Sequence, residues 1–474
     1  MASSKNSFIQ LSRNFITSYP LPKPRTKGLF TLLLTLLLAV FFFSPLSNKS
    51  PTADISSNNL ISHLHSASNY ISSLSSSVVS DEPSFVSGAP PPPPPHPTTH
   101  TGGVTFTTVG SATVRKKPEI GVTSDQNRSK NESCDFFDGN WEMDESMPLY
   151  EPGSCSFIDD AFNCFKNGRS DYDYFRLRWK PLGCDLPRFD GLKMLKMLRG
   201  KRVAFVGDSL NRNMWESLVC ALKSALGNSS NVFEVSGRRE FRTEGFYSFK
   251  FQDYNVSIDF IRSPFLVQEW KFMSKAGIRR ETLRLDMIQS SSVKYQDADI
   301  IIFNTGHWWT HQKTYKGDSY FQEGNHVYDK LEVRDAFSKA LRTWAQWVDS
   351  NINTTQTMVF FRGYSASHFK GGQWNSGGSC DGETQPIAND TYLSPYPWMM
   401  RTLESVIQTM KTPVHFLNIT RMTDYRKDGH PSVFGQTEEF RRPGMVQDCS
   451  HWCLPGVPDS WNELLYAILV SSQK

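Results

Sequence analysis

The chain has 474 residues, a net charge of +4 and 38% hydrophobic residues. That is long enough for one large domain or two plus extensions, with part of the length too polar to pack. The basic residues are scattered along it, which argues against a nucleic-acid-binding protein.

Residues 1–27 are polar and carry Lys5, Arg13, Lys23, Arg25 and Lys27 without a single acid. Residues 28–46, GLFTLLLTLLLAVFFFSPL, are uncharged and nearly all apolar. A helix needs about 17–25 such residues to cross a bilayer. The positive charge on the N-terminal side keeps that end cytosolic. A cleaved signal peptide is the rival reading, but its apolar run would be shorter and no small-x-small site follows Phe43. The expectation is a single-pass type II signal anchor with everything after it in a lumen. Residues 47–130 are rich in Ser, Thr, Asn and Pro, including the run Pro90 to Pro95. Such a stretch buries no core and reads as a disordered stem that holds the rest away from the membrane.

All eight cysteines lie beyond the stem: Cys134, Cys155, Cys164, Cys184, Cys220, Cys380, Cys449 and Cys453. An even count confined to one region reads as four disulfides in an oxidising compartment. Free thiols or a metal site are the alternatives. Cys449-x-x-x-Cys453 lacks a second cysteine pair to complete a zinc site, so no metal is expected. N-x-S/T sequons at Asn127, Asn131, Asn228, Asn255, Asn353, Asn389 and Asn418 fit an exported chain, while Asn48 sits too close to the anchor.

Residues 131–200 are dense in cysteine, aspartate and aromatics and read as a disulfide-tied subregion packed on the remainder of the folded chain. From Lys201 to the end, strand-like and helix-like segments alternate. Val203 to Val206 is a buried strand, and Met214, Trp215, Leu218, Val219 and Leu222 recur at helical spacing after it. Phe246–Phe251 and Val256–Ile261 read as strands that can form a hairpin. Strands follow at Ile300–Phe303, Met358–Phe361 and Val414–Leu417, and helices at Val333–Val348, Pro397–Met410 and Asp459–Leu469. The alternation predicts an α/β fold, a parallel sheet with helices on both faces, over 201–474.

Gly207-Asp208-Ser209 falls between the first strand and its helix. A strand, a tight glycine turn, a serine and a helix present a hydroxyl and a backbone N–H at the carboxyl edge of a sheet. Taken alone, Asp208 or Ser209 could simply cap the helix. A serine nucleophile needs a base, and the base an orienting acceptor. Asp448 and His451, three residues apart before the last helix, supply both types. Asn304, at the end of a predicted strand, is either an oxyanion donor or a turn residue. His307 and His311 have no acceptor at short spacing. Trp308, Trp309, Trp374 and Trp452 lie in polar, glycine-containing loops, where they either stack on sugar rings or pack a core.

With these residues in hand the chain resembles the plant trichome birefringence-like proteins, polysaccharide O-acetyltransferases with a GDSL/SGNH-hydrolase-like fold. The resemblance rests on CDFFDGNW at 134, YDYFRLRWKPLGCDLPRFDG at 172, VAFVGDSLNRNMWESLVC at 203, FNTGHWW at 303, FRGYSASHF at 361, DGHPS at 428 and DCSHWCLPGVPDSWNELL at 448. It implies a Golgi-membrane enzyme with a lumenal catalytic domain over 131–474. It implies that Ser209, His451 and Asp448 act by double displacement, through an acetyl-serine that a sugar hydroxyl then takes up. It also implies the pairs Cys134–Cys184, Cys155–Cys220, Cys164–Cys453 and Cys380–Cys449, which spacing alone does not choose. The stretch HFKGGQWNSGGSCDGETQPI favours xyloglucan as the acceptor over glucomannan or xylan. No tightly bound cofactor is expected; the acetyl donor, acetyl-CoA or an acetylated intermediate, is not legible, since the chain shows no P-loop, dinucleotide fingerprint or basic glycine-rich phosphate cradle, and protein partners are not legible either. An acetyl esterase using the same triad and a non-catalytic polysaccharide binder are the competing classes.

Overall fold

The computed structural model describes residues 134–472, except 243–244 and 274–276. The predicted cytosolic tail, membrane anchor and stem, with Asn127 and Asn131, lie outside the described residues. Among those described, no helix is long and apolar enough to cross a membrane.

The chain begins with an antiparallel pair, β1 (Gly139–Met143) and β2 (Leu177–Pro181), then α1 (Gly191–Met197). β3 (Arg202–Gly207) leads into α2 (Ser209–Ser224), followed by β4 (Val232–Glu234), β5 (Phe246–Phe251) and β6 (Val256–Arg262). Next come β7 (Val267–Met273), β8 (Arg279–Ile288), β9 (Ile300–Phe303), α3 (Gln312–Lys316), β10 (Phe321–Glu323) and β11 (His326–Val327). The chain closes with α4 (Val333–Asn351), β12 (Met358–Arg362), α5 (Trp398–Ile407), β13 (Val414–Leu417), α6 (Thr420–Asp424) and α7 (Val457–Ser471).

The main sheet has the order β13-β12-β9-β3-β6-β5-β4. Its strands from β13 to β6 are parallel, and β6, β5 and β4 pair antiparallel. The apolar runs of β3, β9 and β12 are continuous because both faces are covered. Side chains alternate between them. Val203, Phe205, Ile258, Phe260, Ile300, Ile302 and Phe360 join the core under α2 and α7. Ala204, Val206, Ile261, Ile301, Phe303, Val359 and Phe361 join the core under α4 and α5. Each large side chain so buried contributes about 2 kcal/mol. The predicted α/β layering is therefore present, and the predicted hairpin is β5–β6.

A four-stranded sheet, β11-β10-β8-β7, was not legible in the sequence. VQEWKFM and RRETLRLDMI carry charges on an exposed side, and the register shifts between Val267 and Gln268. Those two features hide the alternation.

The four disulfides are the pairs implied by the resemblance. Cys155–Cys220 and Cys164–Cys453 tie the N-terminal subregion to α2 and to the loop before α7. Arg178 reinforces the junction with an ion pair to Glu463 at 2.9 Å, buried on both sides. This subregion packs into the core. Trp179 is fully buried, and the Trp141 indole N–H donates to the Met422 carbonyl at 2.7 Å.

From β3 the chain passes to β6 on one side and later to β9 on the other. The strand order therefore reverses between β3 and β9, and the carboxyl ends there form the crevice in which such sheets place ligands.

Candidate active site

β3 ends in Gly207-Asp208-Ser209, and a close approach dictates the turn. A Cβ on Gly207 would lie 1.8 Å from Asn304 Oδ1, so only glycine lets the ends of β3 and β9 meet. Asp208 caps α2, its Oδ1 accepting from the Leu210 N–H at 3.0 Å. Asn304 locks the turn from the other strand. Its Nδ2 donates to Asp208 Oδ1 at 2.7 Å, and its Oδ1 accepts from the Asp208 N–H at 3.1 Å. Asp208 is buried, with Arg362 Nη2 and His307 Nδ1 each 3.9 Å from its carboxylate. Ser209 is the first residue of α2, so its N–H has no acceptor within the helix and lies at the positive end of the helix dipole.

The Ser209 hydroxyl lies 2.6 Å from His451 Nε2, and His451 Nδ1 lies 2.7 Å from Asp448 Oδ2. The carboxylate sets the tautomer: Nδ1 donates to it, which leaves Nε2 to accept from the serine. Asp448 Oδ1 also accepts from the backbone N–H groups of Ser450 at 3.2 Å and His451 at 3.0 Å. Burial alone would raise the Asp448 carboxyl. The charge and hydrogen bonds of His451 outweigh it and hold that carboxyl well below the ordinary carboxylate range. A relay of this kind can take the serine proton as the oxygen attacks a carbonyl carbon.

The Asp448/His451 loop is held from several sides. Cys449 and Cys453 bracket it with bonds to Cys380 and Cys164. Ser432 and Asp448 exchange backbone hydrogen bonds at 2.8 and 3.2 Å. Asn213, one turn past Ser209 on α2 and fully buried, accepts from the Trp452 N–H at 2.8 Å and donates to the Trp452 carbonyl at 3.1 Å. His430 Nδ1 donates to the His451 carbonyl at 2.7 Å. His430 Nε2 in turn meets His368 Nδ1 at 2.7 Å, and His368 Nε2 donates to the Asp424 carbonyl at 2.9 Å. For all three contacts to be hydrogen bonds the histidine pair must hold three N–H protons, one more than two neutral rings carry. The Asp424 carboxylate, 3.7 Å from His368, offsets that charge. Burial, then the charge on His368, pushes His430 down. Arg169, from the N-terminal subregion, donates to the carbonyls of Asp428 at 2.6 Å and His430 at 3.0 Å.

None of Asn213, His368, His430 or Arg169 emerged as a site residue from the sequence. The available signal was polar residues inside an amphipathic pattern: Asn211, Asn213, Glu216 and Ser217 are all fully buried on α2.

Other expectations are corrected. Asn304 takes the turn role of the two open to it: it is 1% exposed, and its amide is bonded to Asp208. Trp309 and Trp452 offer no ring to a sugar, since both are buried. The Trp309 indole N–H donates to Thr305 Oγ1 at 3.0 Å, and the Trp452 indole N–H to Ser365 Oγ at 2.7 Å with the ring stacked on His430. Trp308 and Trp374 do reach the surface near the Ser209–His451 pair. Trp308 stacks on His311 with centroids 5.0 Å apart, and His311 lies 5.2 Å from the 47% exposed Trp374. Half-buried His307 stacks on Tyr364, and desolvation pushes its ring down to about 4, so it stays neutral near pH 7. Asn228, Asn255, Asn353 and Asn389 are exposed and Asn418 is half-buried.

One cavity borders His451 and another borders Ser209. One, of about 410 Å³, is lined by His451 and Asp448 with His307, His311, Tyr364 and Trp374. The other, of about 100 Å³, is lined by Ser209 and Asp208 with three arginines and three aromatic rings. Larger hollows near residues 153–166 and 143–176 include neither Ser209 nor His451, so chemistry rather than size marks the site. Among the described residues no group of His, Cys, Asp and Glu is arranged to hold a metal ion.

Residues 186–468 match the family PC-Esterase, a GDSL/SGNH-like acyl-esterase family found in Pmr5 and Cas1p, and residues 132–185 match the PMR5 N-terminal domain. The chain is 60% identical over 382 residues to Protein trichome birefringence-like 4 of Arabidopsis thaliana, which covers 79% of this chain and 84% of that protein. It is 61% identical over 342 residues to Protein trichome birefringence of the same plant, covering 71% of this chain and 56% of that one. Protein trichome birefringence-like 6 is 48% identical over 340 residues, covering 72% and 71%. A GDSL-type serine turn and a distant Asp-x-x-His loop brought to one sheet edge fit acyl-ester chemistry: the chain belongs to the PC-Esterase family, among the trichome birefringence-like proteins.

Proposed function

We propose that this protein is a polysaccharide O-acetyltransferase in which Ser209 is the nucleophile, His451 the general base and acid, and Asp448 the group that orients His451. The observation that carries the reading is the unbroken relay from Asp448 through His451 to Ser209, at 2.7 and 2.6 Å, opening into an aromatic-lined cleft. Ser209 Oγ attacks the acetyl carbon as His451 takes its proton, and the carrier leaves with that proton. An acceptor hydroxyl then gives its proton to His451 and attacks the acetyl-serine. The Ser209 N–H, at the start of α2, faces the developing oxyanion.

Trp374 lines the cleft with an exposed ring suited to a sugar, while Trp308 lines the cavity beside Ser209. The acceptor in this reading is a plant cell-wall hemicellulose, with xyloglucan favoured on the 368–387 loop. The site of action is the Golgi lumen, with the chain anchored through residues 28–46 and glycosylated at exposed sequons. The family description also supports a second reading, an acyl esterase that delivers the same acetyl group to water.

The test incubates the full chain with an acetyl donor and separate deacetylated oligosaccharides of xyloglucan, glucomannan and xylan, and weighs the products. A gain of one acetyl mass on xyloglucan fragments supports the reading. A gain only on one of the others moves the acceptor. Release of free acetate with no sugar gaining mass favours the esterase. Unaltered sugar retained by the protein favours a binder.

A further inference from the structure

His451 has no helix or strand of its own, so its backbone must be held if Nε2 is to stay 2.6 Å from Ser209 Oγ. A chain of contacts behind it does part of that work. His430 Nδ1 donates to the His451 carbonyl at 2.7 Å, His430 Nε2 meets His368 Nδ1 at 2.7 Å, and His368 Nε2 donates to the Asp424 carbonyl at 2.9 Å. The His368 backbone N–H also donates to the Cys449 carbonyl at 3.0 Å, inside the loop that carries Asp448 and His451.

The protons along this chain have definite places. A carbonyl oxygen only accepts, so His430 Nδ1 and His368 Nε2, each facing a carbonyl, are both protonated. The third proton lies between the rings and makes one of them a cation. His430 is 2% exposed, and Arg169, itself paired with Asp171, donates to its carbonyl at 3.0 Å. Burial, then the charge on His368, pushes the His430 ring well down; Asp448 pulls the other way and is outweighed. His368 is only half-buried and has the Asp424 carboxylate 3.7 Å from Nε2. The remaining charges nearby are paired among themselves: Arg426 with Asp428 at 2.9 Å, and Lys370 and Lys427 both with Glu383. The extra proton therefore belongs to His368.

We propose that His368 is a positioning residue for the catalytic base: doubly protonated, it holds His430, and His430 holds the His451 carbonyl, so the reach of His451 to Ser209 depends on a proton that never enters the reaction. This rests on the reading of Ser209 and His451 as the reacting pair. When His368 loses that proton, two N–H groups remain for three contacts, and one contact becomes a pair of facing lone pairs. His451 acts as a base only when neutral, so transfer rises with pH through His451 and falls again at higher pH through His368.

The experiment compares wild type, His368→Asn and His368→Gln in the full chain. Asparagine sets its amide nitrogen in the place of Nδ1 and donates to His430 at every pH. Glutamine sets it in the place of Nε2 and leaves His430 Nε2 without a donor. His368→Gln should lower kcat for acetyl transfer about tenfold with KM nearly unchanged, and His368→Asn should keep kcat within about threefold. Wild type should lose kcat on the alkaline side, and His368→Asn should not share that limb. Melting curves at each pH keep the buried acids Asp459 and Glu216 out of the comparison. In ¹⁵N-histidine-labelled protein at neutral pH, NMR should show His368 protonated on both nitrogens and His430 neutral, the His368 signals being those missing from His368→Asn. A full kcat in His368→Gln, an alkaline limb shared by His368→Asn, or two neutral rings overturns the proposal. Should wild type transfer no acetyl group at all, the reading of Ser209 has failed, and the spectra decide the positioning alone. His451 signals displaced in His368→Gln but not in His368→Asn uphold it; signals unmoved in both reject it.

Discussion

Ser209 and His451 lie 242 residues apart, and the fold holds them by different means. Ser209 is placed by its own neighbourhood: a strand end, a glycine pressed against Asn304, an N-cap and a helix. His451 belongs to no helix or strand. It is placed from outside, by two disulfides, by Asn213 of α2, by the Ser432 backbone and by His430, itself gripped from the N-terminal subregion by Arg169. The nucleophile is thus a local feature and the base a tertiary one. Damage to each should look different.

The largest effect is expected at the shared oxygen. Ser209→Ala should lower acetyl transfer by about 10⁴-fold or more while leaving the melting temperature unchanged, because only the Oγ contact to His451 is lost. Transfer and thermal unfolding measured on one preparation check both halves. Asp448→Asn comes next, with a loss of about 10³-fold. An amide that presents its N–H₂ to Nδ1 favours the wrong imidazole tautomer, and ¹⁵N NMR of His451 should report that change.

The supports come after the reacting groups. Asn213→Ala breaks both bonds to the Trp452 peptide without touching the relay. Transfer should fall about 30-fold, carried by kcat more than KM if the base has drifted. An unchanged kcat would show that the disulfides hold His451 by themselves. Replacing Cys380 and Cys449 together by serine releases a 69-residue link, with up to about 4 kcal/mol of stability at stake. That pair should cost stability and activity together, unlike Ser209→Ala, and chemical denaturation with parallel kinetics would separate the two patterns.

The smallest effect concerns pH and acids away from the relay. Burial raises Asp459 to about 7 and Glu216 to about 8, from 3.8 and 4.5. The fold therefore favours their protonated forms. Their stabilising contribution is fully present below about pH 4 and is lost as pH rises through about 7 to 8. Asp448 runs the opposite way, but its loss falls in strong acid and does not overlap. The melting temperature should drop by about 4 °C between pH 6 and pH 9, and Asp459→Asn should remove part of that slope. Differential scanning at stepped pH reads it directly.

Much of the molecule was legible in the chain because its signals are local. The IIIF run of β9, the apolar face of α4 and the Gly-Asp-Ser turn each carry their pattern within a few residues. The satellite sheet was not, since its strands expose charge and carry a bulge. The site divided along the same line. Ser209, Asp448 and His451 were nameable from residue type and spacing, together with the family likeness that also implied the cysteine pairs. The fates of Asn304, Trp309 and Trp452 were not, because a polar amide or an indole in a glycine-containing loop reads the same whether it faces solvent or core. Only the folded chain decided that Asn304 bonds Asp208 and that both rings lie inside. Only the folded chain brought Asn213, His430 and Arg169 behind the base, since burial and partnership are tertiary, and Asn213 and Arg169 reach their partners across more than two hundred residues.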